Sequence, residues 1–321
     1  MHNFTFEQAS TVEAAAGSKG RFIAGGTTLV DLMKLGVEQP PALVDITALP
    51  LDQVEVLPNG GLRIGAMVRN SDLANHPAVL KDYAVLSQAL LSGASPQLRN
   101  MATTGGNLLQ RTRCPYFRDP TSGGCNKRNP GTGCAAMEGH HRTMAILGTS
   151  DSCIATHPSD MCVAMMALEA VIFVQGAKGT RQIAIGDFYQ LPGETPHIEN
   201  VLEPGDLIKH VELPPVNNTK QVYLKLRDRA SYEFALASAA VVAHVEGGHI
   251  RSVRVAMGGV GTRPWRSHEA ESALAGKAAN SANFHAAAEA ALKGAKTHPE
   301  NAFKVELAKR CVVRALKMAT A

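Results

Sequence analysis

Apolar and polar positions along the chain alternate in short blocks from the start. Thr11 to Ala16 reads as a first helix, Arg21–Ala24 as a strand, Leu29–Leu35 as a helix and Ala42–Ile46 as a second strand. That order suits a parallel β-α-β crossover. Val54–Leu57 and Leu62–Gly65 flank Pro58-Asn59-Gly60-Gly61, a turn sequence that predicts a hairpin. A helix starts at Ser71, and an apolar helix runs from Tyr83 to Leu91 and stops near Gly93. Between residues 109 and 157 neither a helical nor a strand period survives, and the segment is rich in Pro, Gly and Arg. Something other than an apolar core must order so long an irregular stretch. Regular patterning then returns, with a helix from Ser159-Asp160 to Ala170 and strands at Val171–Val174 and Leu207–Leu213.

Pro214-Pro215 marks a boundary, which divides the chain into residues 1–216 and 217–321. The second part reads as strands Val222–Leu226, Ala237–Val245 and Ile250–Met257, then helices Ser267–Ala275, Ser281–Lys293 and Phe303–Lys317. Strands followed by helices predict an α+β fold. The last helix is amphipathic, with Phe303, Leu307, Cys311 and Ala315 at four-residue spacing.

Composition narrows the function classes. With 321 residues and 45% apolar positions the chain can bury an ordinary core. The net charge of +4 and the lack of a basic cluster outside residues 109–142 argue against a nucleic-acid partner. No run of apolar residues is long enough to span a membrane, and Met1 to Phe6 lacks a signal-peptide profile. The expected location is therefore the cytoplasm, or a compartment reached with a partner that carries the export signal.

The stretch Ile23-Ala24-Gly25-Gly26-Thr27-Thr28-Leu29-Val30 reads strand, glycine turn, helix. The glycines permit positive φ and close approach of another group. Thr28 with Asp31 is a Thr-x-x-acid start signal for the helix. A phosphate or pyrophosphate suits the free N–H groups of such a turn, although a plain tight connection has the same sequence. A second turn, Thr103-Thr104-Gly105-Gly106-Asn107, provides a partner, so that two turns hold one long phosphorylated ligand. No Ser-His-Asp, His-Glu-x-x-His or paired-carboxylate pattern is visible, so no catalytic residue is assigned and the chemistry points to a bound cofactor.

Five of six cysteines fall within 49 residues, and four of them follow the spacing Cys114-x10-Cys125-x8-Cys134-x18-Cys153. Four thiolates suit structural zinc or an iron–sulfur cluster. The absence of Cys-x2–4-Cys knuckles and the long loops favour a [4Fe–4S] cluster, with Arg113, Lys127, Arg128 and Arg142 offsetting its negative charge. Cys162 and Cys311 lie on apolar helices and read as core. His140, His141 and His157 flank the irregular segment and are read as surface or capping groups. Asp160 reads equally well as a helix cap or a cofactor contact, and Lys225 and Arg227-Asp228-Arg229 as solvated charges.

The two glycine turns together resemble those of the FAD-binding medium subunits of molybdenum hydroxylases, the xanthine dehydrogenase and carbon monoxide dehydrogenase family. The stretches Gln110–Phe117, Cys153–Asp160 and Arg227–Tyr232 are similar to the branch of FAD subunits from bacterial periplasmic aldehyde oxidoreductases, which carry a [4Fe–4S] cluster. The resemblance implies a vanillyl-alcohol-oxidase-like (PCMH-type) FAD-binding domain over residues 1–216, with the iron–sulfur insert at 109–157. A carbon monoxide dehydrogenase flavoprotein-type domain would occupy residues 217–321. It further implies FAD contacts from Ile23 to Val30, from Thr103 to Asn107, and from Asp160, Ile208, Lys225 and Tyr232, with Cys114, Cys125, Cys134 and Cys153 as cluster ligands. Thr28 departs from the family, in which many members have Asp.

The function so implied is electron transfer within a heterotrimeric molybdenum aldehyde oxidoreductase. A large molybdopterin subunit and a small subunit with [2Fe–2S] clusters would be the partners, an external acceptor would take the electrons, and co-export would place the complex in the periplasm. The alternatives are a medium subunit acting with partners on an aromatic acyl-CoA or a purine, and a non-catalytic zinc-stapled nucleotide-binding module.

Overall fold

The computed structural model describes residues 1–321, which form three separate sheets. In the first, β1 (Thr5–Gln8), β2 (Arg21–Ile23) and β3 (Ala42–Asp45) run parallel in the order β1-β3-β2. The helices Val12–Ala16 and Leu29–Lys34 make the crossovers. Thr11 caps the first of these by accepting from the Ala14 N–H at 3.1 Å. β1 escapes the sequence reading because all four of its residues are exposed, so no alternation marks it.

The second sheet is antiparallel, in the order β4-β5-β8-β6-β7. It consists of β4 (Val54–Val56), β5 (Leu62–Gly65), β6 (Val171–Gly176), β7 (Gly179–Ala184) and β8 (Leu207–Leu213). The expected hairpin joins β4 to β5, with Gly60 at φ +82°. The third sheet is also antiparallel and pairs β9 (Lys220–Leu226), β10 (Ala237–Glu246), β11 (His249–Gly258) and the short β12 (Trp265–Arg266) in sequence order. Mixed helices and segregated sheets make this an α+β fold.

Two helices, Ala84–Ser92 and Asp160–Ala167, lie between the second and third sheets. Their apolar side chains join Ile172 and Val211 on one side and Tyr223 and Ala240 on the other in one core. Every residue of Asp160–Ala167 is buried, as expected for a helix apolar on all sides. Ser159 caps it by accepting from the Cys162 N–H at 3.1 Å.

The outer face of the third sheet packs against the helices His268–Leu274, Ser281–Leu292 and Phe303–Thr320. The last helix is rotated from the expected stripe: Cys311 and Ala315 are buried, but Phe303 is 39% exposed and Lys304 is fully buried. Lys304 Nζ donates to the carbonyls of Thr143 (3.1 Å), Met144 (2.9 Å) and Gly259 (2.6 Å). Three carbonyls match the three donors of an ammonium group, while burial draws the lysine pKa down to about 7.

Thr143 and Met144 belong to the irregular segment 109–157, whose only helix is the single turn Pro115–Arg118. Polar ties supply its order. Arg128 donates to the carbonyls of Phe117 (3.0 Å), Asp119 (3.2 Å) and Gly123 (3.1 Å). Asn126 accepts from the Gly133 N–H (2.8 Å) and donates to the Ser152 carbonyl (3.2 Å). Arg118 anchors the front of the segment to Asp31 (2.7 Å), and Arg142 grips Asp228 with two bonds of 2.8 and 2.9 Å. Ile146 and Leu147 enter the C-terminal core itself. The segment is thus held between the crossover helix Leu29–Lys34 and the C-terminal layers.

Candidate functional site

The two glycine turns meet. A Cβ placed on Gly25 would lie 1.8 Å from the Met101 carbonyl oxygen, so only glycine lets the first turn touch the backbone leading into the second. Together they wall a cleft of about 840 Å³, lined by Ala24, Gly25, Gly26, Thr27, Thr28 and Leu29 on one side and Thr103, Gly105 and Gly106 on the other. Phe22, Leu32, Ile46, Met67, Leu207 and Ile208 complete an apolar lining. The two turns differ in their hydrogen bonding. The N–H groups of Gly25, Gly26, Thr27, Thr28 and Leu29 meet no acceptor in the chain. In the second turn, Thr104 N–H donates to Val68 O (2.9 Å), Gly105 N–H to Ala66 O (2.8 Å) and Asn107 N–H to Thr103 O (2.8 Å). The Gly106 N–H donates to Thr103 Oγ1 (3.3 Å).

Thr28 does not cap the following helix through its side chain, contrary to the Thr-x-x-acid reading. Its backbone is already helical, which turns the side chain away from the N–H groups it would cap, and Asp31 is taken by Arg118.

The remaining candidates lie behind or beyond the cleft wall. Ile23 is in β2, and Val30 packs beneath Gly26. Thr104 is buried, with its hydroxyl on Val68 O (3.1 Å), and Asn107 accepts from Ser159 Oγ (2.7 Å). Asp160 and Lys225 find each other at 2.8 Å, both nearly inaccessible. Tyr223 OH donates to the same carboxylate, and Lys225 also donates to the Ser92 carbonyl (3.1 Å). Burial, and after it that carboxylate, push the Tyr223 phenol well above its usual range. Asp160 borders a second cavity of about 780 Å³, shared with Arg113, His157 and Phe234, between the irregular segment and the third sheet. Tyr232 sits exposed on the loop beside it at φ +52°, its carbonyl held by Arg229 at 2.6 Å.

Cys114, Cys125 and Cys153 are buried in one small cluster around Phe117, with Cys134 at its edge, and all four are free thiols. Cys162 and Cys311 lie apart, in the two main cores. Burial pushes the Cys114 thiol up to about 12 and raises that of Cys153, which the Lys127 ammonium counteracts. No group of three or more His, Cys, Asp or Glu side chains is arranged to hold a single metal ion.

The sequence reading missed the group that joins the cleft to these thiols. Arg111 and Glu38 line the cleft and bond at 2.6 Å. Arg111 also reaches Glu199 (3.1 Å), and Glu199 reaches Lys127 (2.8 Å). The guanidinium lies 4.5 Å above the Phe117 ring. No local pattern in the sequence links residues so far apart.

No helix is long and apolar enough to cross a membrane. Residues 2–216 match the model of the FAD binding domain in molybdopterin dehydrogenase, and residues 222–319 that of the CO dehydrogenase flavoprotein C-terminal domain. The chain is 53% identical to the aldehyde oxidoreductase FAD-binding subunit PaoB of Escherichia coli (strain K12), over 100% of this chain and 99% of that one. It is 28% identical to the glyceraldehyde dehydrogenase medium chain of Sulfolobus acidocaldarius, over 86% of this chain and 83% of the other. Among solved structures it superposes on a carbon monoxide dehydrogenase chain from Hydrogenophaga pseudoflava with a TM-score of 0.77 and 26% identity, covering 99% and 97% of the two chains. The chain therefore belongs to the FAD-binding subunits of the molybdopterin dehydrogenases, and is an oxidoreductase subunit.

Proposed function

We propose that this chain is the FAD- and [4Fe–4S]-carrying electron-transfer subunit of a heterotrimeric molybdenum aldehyde oxidoreductase. The run of five unpartnered N–H groups from Gly25 to Leu29, on residues that line a cleft partly walled by apolar side chains, carries the reading. Such a run supplies the donors that a pyrophosphate needs, and the apolar lining suits flat heteroaromatic rings. Ile208 packs on the cofactor. The Asp160–Lys225 pair, braced by Tyr223, meets the flavin end, with Tyr232 beside it. When bound, FAD supplies the ability to take up and hand on electrons singly or in pairs, while the chain supplies position and electrostatics.

The four insert thiols fit a cluster better than an ion. Cys114, Cys125 and Cys153 converge around Phe117 with Cys134 at the edge, and their wide spacing without Cys-x2–4-Cys knuckles suits a four-iron cube. Lys127 provides charge compensation at Cys153. In this reading residues 1–216 form the FAD-binding domain and 217–321 the C-terminal domain. A large molybdopterin subunit oxidises the aldehyde, a small [2Fe–2S] subunit conducts to this chain, and an external acceptor takes the electrons. Export to the periplasm occurs together with a signal-bearing partner, which cell fractionation tests directly.

The absorption spectrum of the purified chain tests the cofactor content. Flavin bands over a broad iron–sulfur shoulder are expected, and a colourless, zinc-containing protein overturns the reading. Cys134→Ser should lose iron and open residues 109–157 to protease, whereas Cys162→Ala should keep its iron. The reverse pattern shows that the ligand set is wrong. Aldehyde turnover by the chain without its partners would contradict the subunit assignment.

A further inference from the structure

The cleft and the thiol cluster are joined by one uninterrupted row of alternating charges: Glu38, Arg111, Glu199 and Lys127. The contacts measure 2.6 Å, 3.1 Å and 2.8 Å in turn. None of the four side chains is more than 23% exposed, so solvent screens the row weakly. Its two ends have different neighbours. Arg111 and Glu38 form part of the cleft wall. Lys127 and Glu199 border a separate cavity together with Cys153, and the Lys127 charge acts on the Cys153 thiol. Glu199 is the hinge of the row, because its two oxygens hold Arg111 on one side and Lys127 on the other. It arrives from a loop remote in sequence from both, and Lys127 pins that loop a second time through the Pro196 carbonyl (2.9 Å).

We propose that Glu199 is a positioning residue that couples occupancy of the thiol cluster to retention of FAD, an inference that rests on the cluster assignment above. Four thiolates on a cluster place negative charge beside Lys127 and fix the segment that carries it. Lys127 then holds Glu199, Glu199 holds Arg111 against the cleft wall, and the cleft keeps the shape that grips the dinucleotide. With the cluster absent, the segment that carries Lys127 loses its fastening beside Cys153, and the row slackens at that end. Coupling between binding sites is reciprocal, so bound FAD also protects the cluster-bearing segment.

The test uses the assembled complex and four preparations: wild type and Glu199→Gln, each with its iron–sulfur cluster intact or removed. FAD dissociation is followed by the rise in flavin fluorescence, iron is measured in parallel, and protease cleavage within residues 109–157 is scored. Cluster removal should weaken FAD binding roughly tenfold in the wild type. In Glu199→Gln, FAD should bind more weakly from the outset, and cluster removal should then change it less than about twofold. Glu199→Asp, which keeps the carboxylate, should restore a large part of the dependence, an effect that mere filling of space would not produce. Should Glu199→Gln fail to assemble, Lys127→Gln breaks the same row one link further on and is read in the same way.

Equal FAD losses on cluster removal in wild type and variant, or no loss in either, overturn the coupling while leaving the cluster assignment intact. A wild-type complex that as isolated, before any cluster removal, carries full FAD and no iron overturns the cluster assignment, and the coupling with it.

Discussion

The two glycine turns are close in composition and opposite in state. Each joins a glycine pair to threonines, but the first pair precedes the helix Leu29–Lys34, whereas the second lies within the short helix Thr104–Leu108. In the second turn the N–H groups of residues 104 to 107 are spent on the chain itself, and in the first turn those of residues 25 to 29 are left open. The second turn is thus tied to the chain through its backbone donors while Thr103, Gly105 and Gly106 still line the cleft, and the first turn has N–H groups left over for a ligand. A motif read as a string does not separate the two, whereas an account of where each donor goes does.

The contrast can be broken most severely at Gly25. A valine there would drive its Cβ into the Met101 carbonyl, at 1.8 Å, and force the turns apart. FAD content should fall to background, and the thermal midpoint of the FAD-binding part should drop by several degrees in calorimetry. Gly26→Val is gentler on the fold, since the nearest atom to a new Cβ is the Val30 side chain at 3.1 Å. It strains a residue at φ +70° by about 1–2 kcal/mol and puts branched carbon at the mouth of the open donors. FAD affinity should fall at least tenfold while circular dichroism stays close to wild type. Full occupancy in this variant would mean that the first turn is not the grip.

Thr104→Val examines the second turn. It removes the buried hydroxyl bond to Val68 O, at a cost of about 1 kcal/mol in stability. FAD binding should follow only to the extent that the wall loosens, which denaturant titration and flavin release separate.

The smallest expected effect comes from acid. Burial holds the His157 pKa down near 3, with Lys127 and Arg113 adding to the lowering and Glu199 opposing it. His157 Nδ1 accepts the Ser159 N–H at 3.4 Å, and Ser159 in turn donates to Asn107 of the second turn. The folded pKa lies below the unfolded one, so the unfolded chain takes up the proton first and stability declines as pH falls from 6.5 toward 3. Between pH 7 and pH 6 the loss is about 0.7 kcal/mol. His157→Gln should flatten that slope, and an unchanged slope would remove His157 as its source.

Much of the cleft is legible in sequence because it is local. A strand, two glycines, threonines and a helix lie within a dozen residues, and the second stretch repeats the threonines and the glycine pair. The β4–β5 hairpin and the parallel crossover are legible for the same reason, whereas the order β4-β5-β8-β6-β7 pairs strands far apart in sequence and is not. What lies outside sequence reasoning is contact across long separations. Lys225 reads as a solvated strand residue, and it is buried only because the helix Ala84–Ser92 and Asp160 close over it. Lys304 occupies a position next to the apparent apolar stripe, and three carbonyls from distant segments make its burial tolerable. Glu199 lies in a Pro-rich loop with no period, so nothing nearby signals that it bridges Arg111 and Lys127.

The Lys304 contact also bears on the order in which the molecule can be finished. Its partners Thr143 and Met144 are synthesised early, whereas Lys304 follows 161 and 160 residues later. Asn301, which donates to the Ala145 carbonyl at 3.4 Å, and Glu300, which accepts from the His141 N–H at 2.9 Å, arrive equally late. During synthesis the thiol-bearing segment therefore has its ties toward the crossover helix available early and these clasps only once residues 300 to 304 have been made. A nascent chain stopped short of residue 300 already holds the segment through Arg142–Asp228 and Ile146–Val260, and the helix Phe303–Thr320 adds the Lys304 clasp to that side.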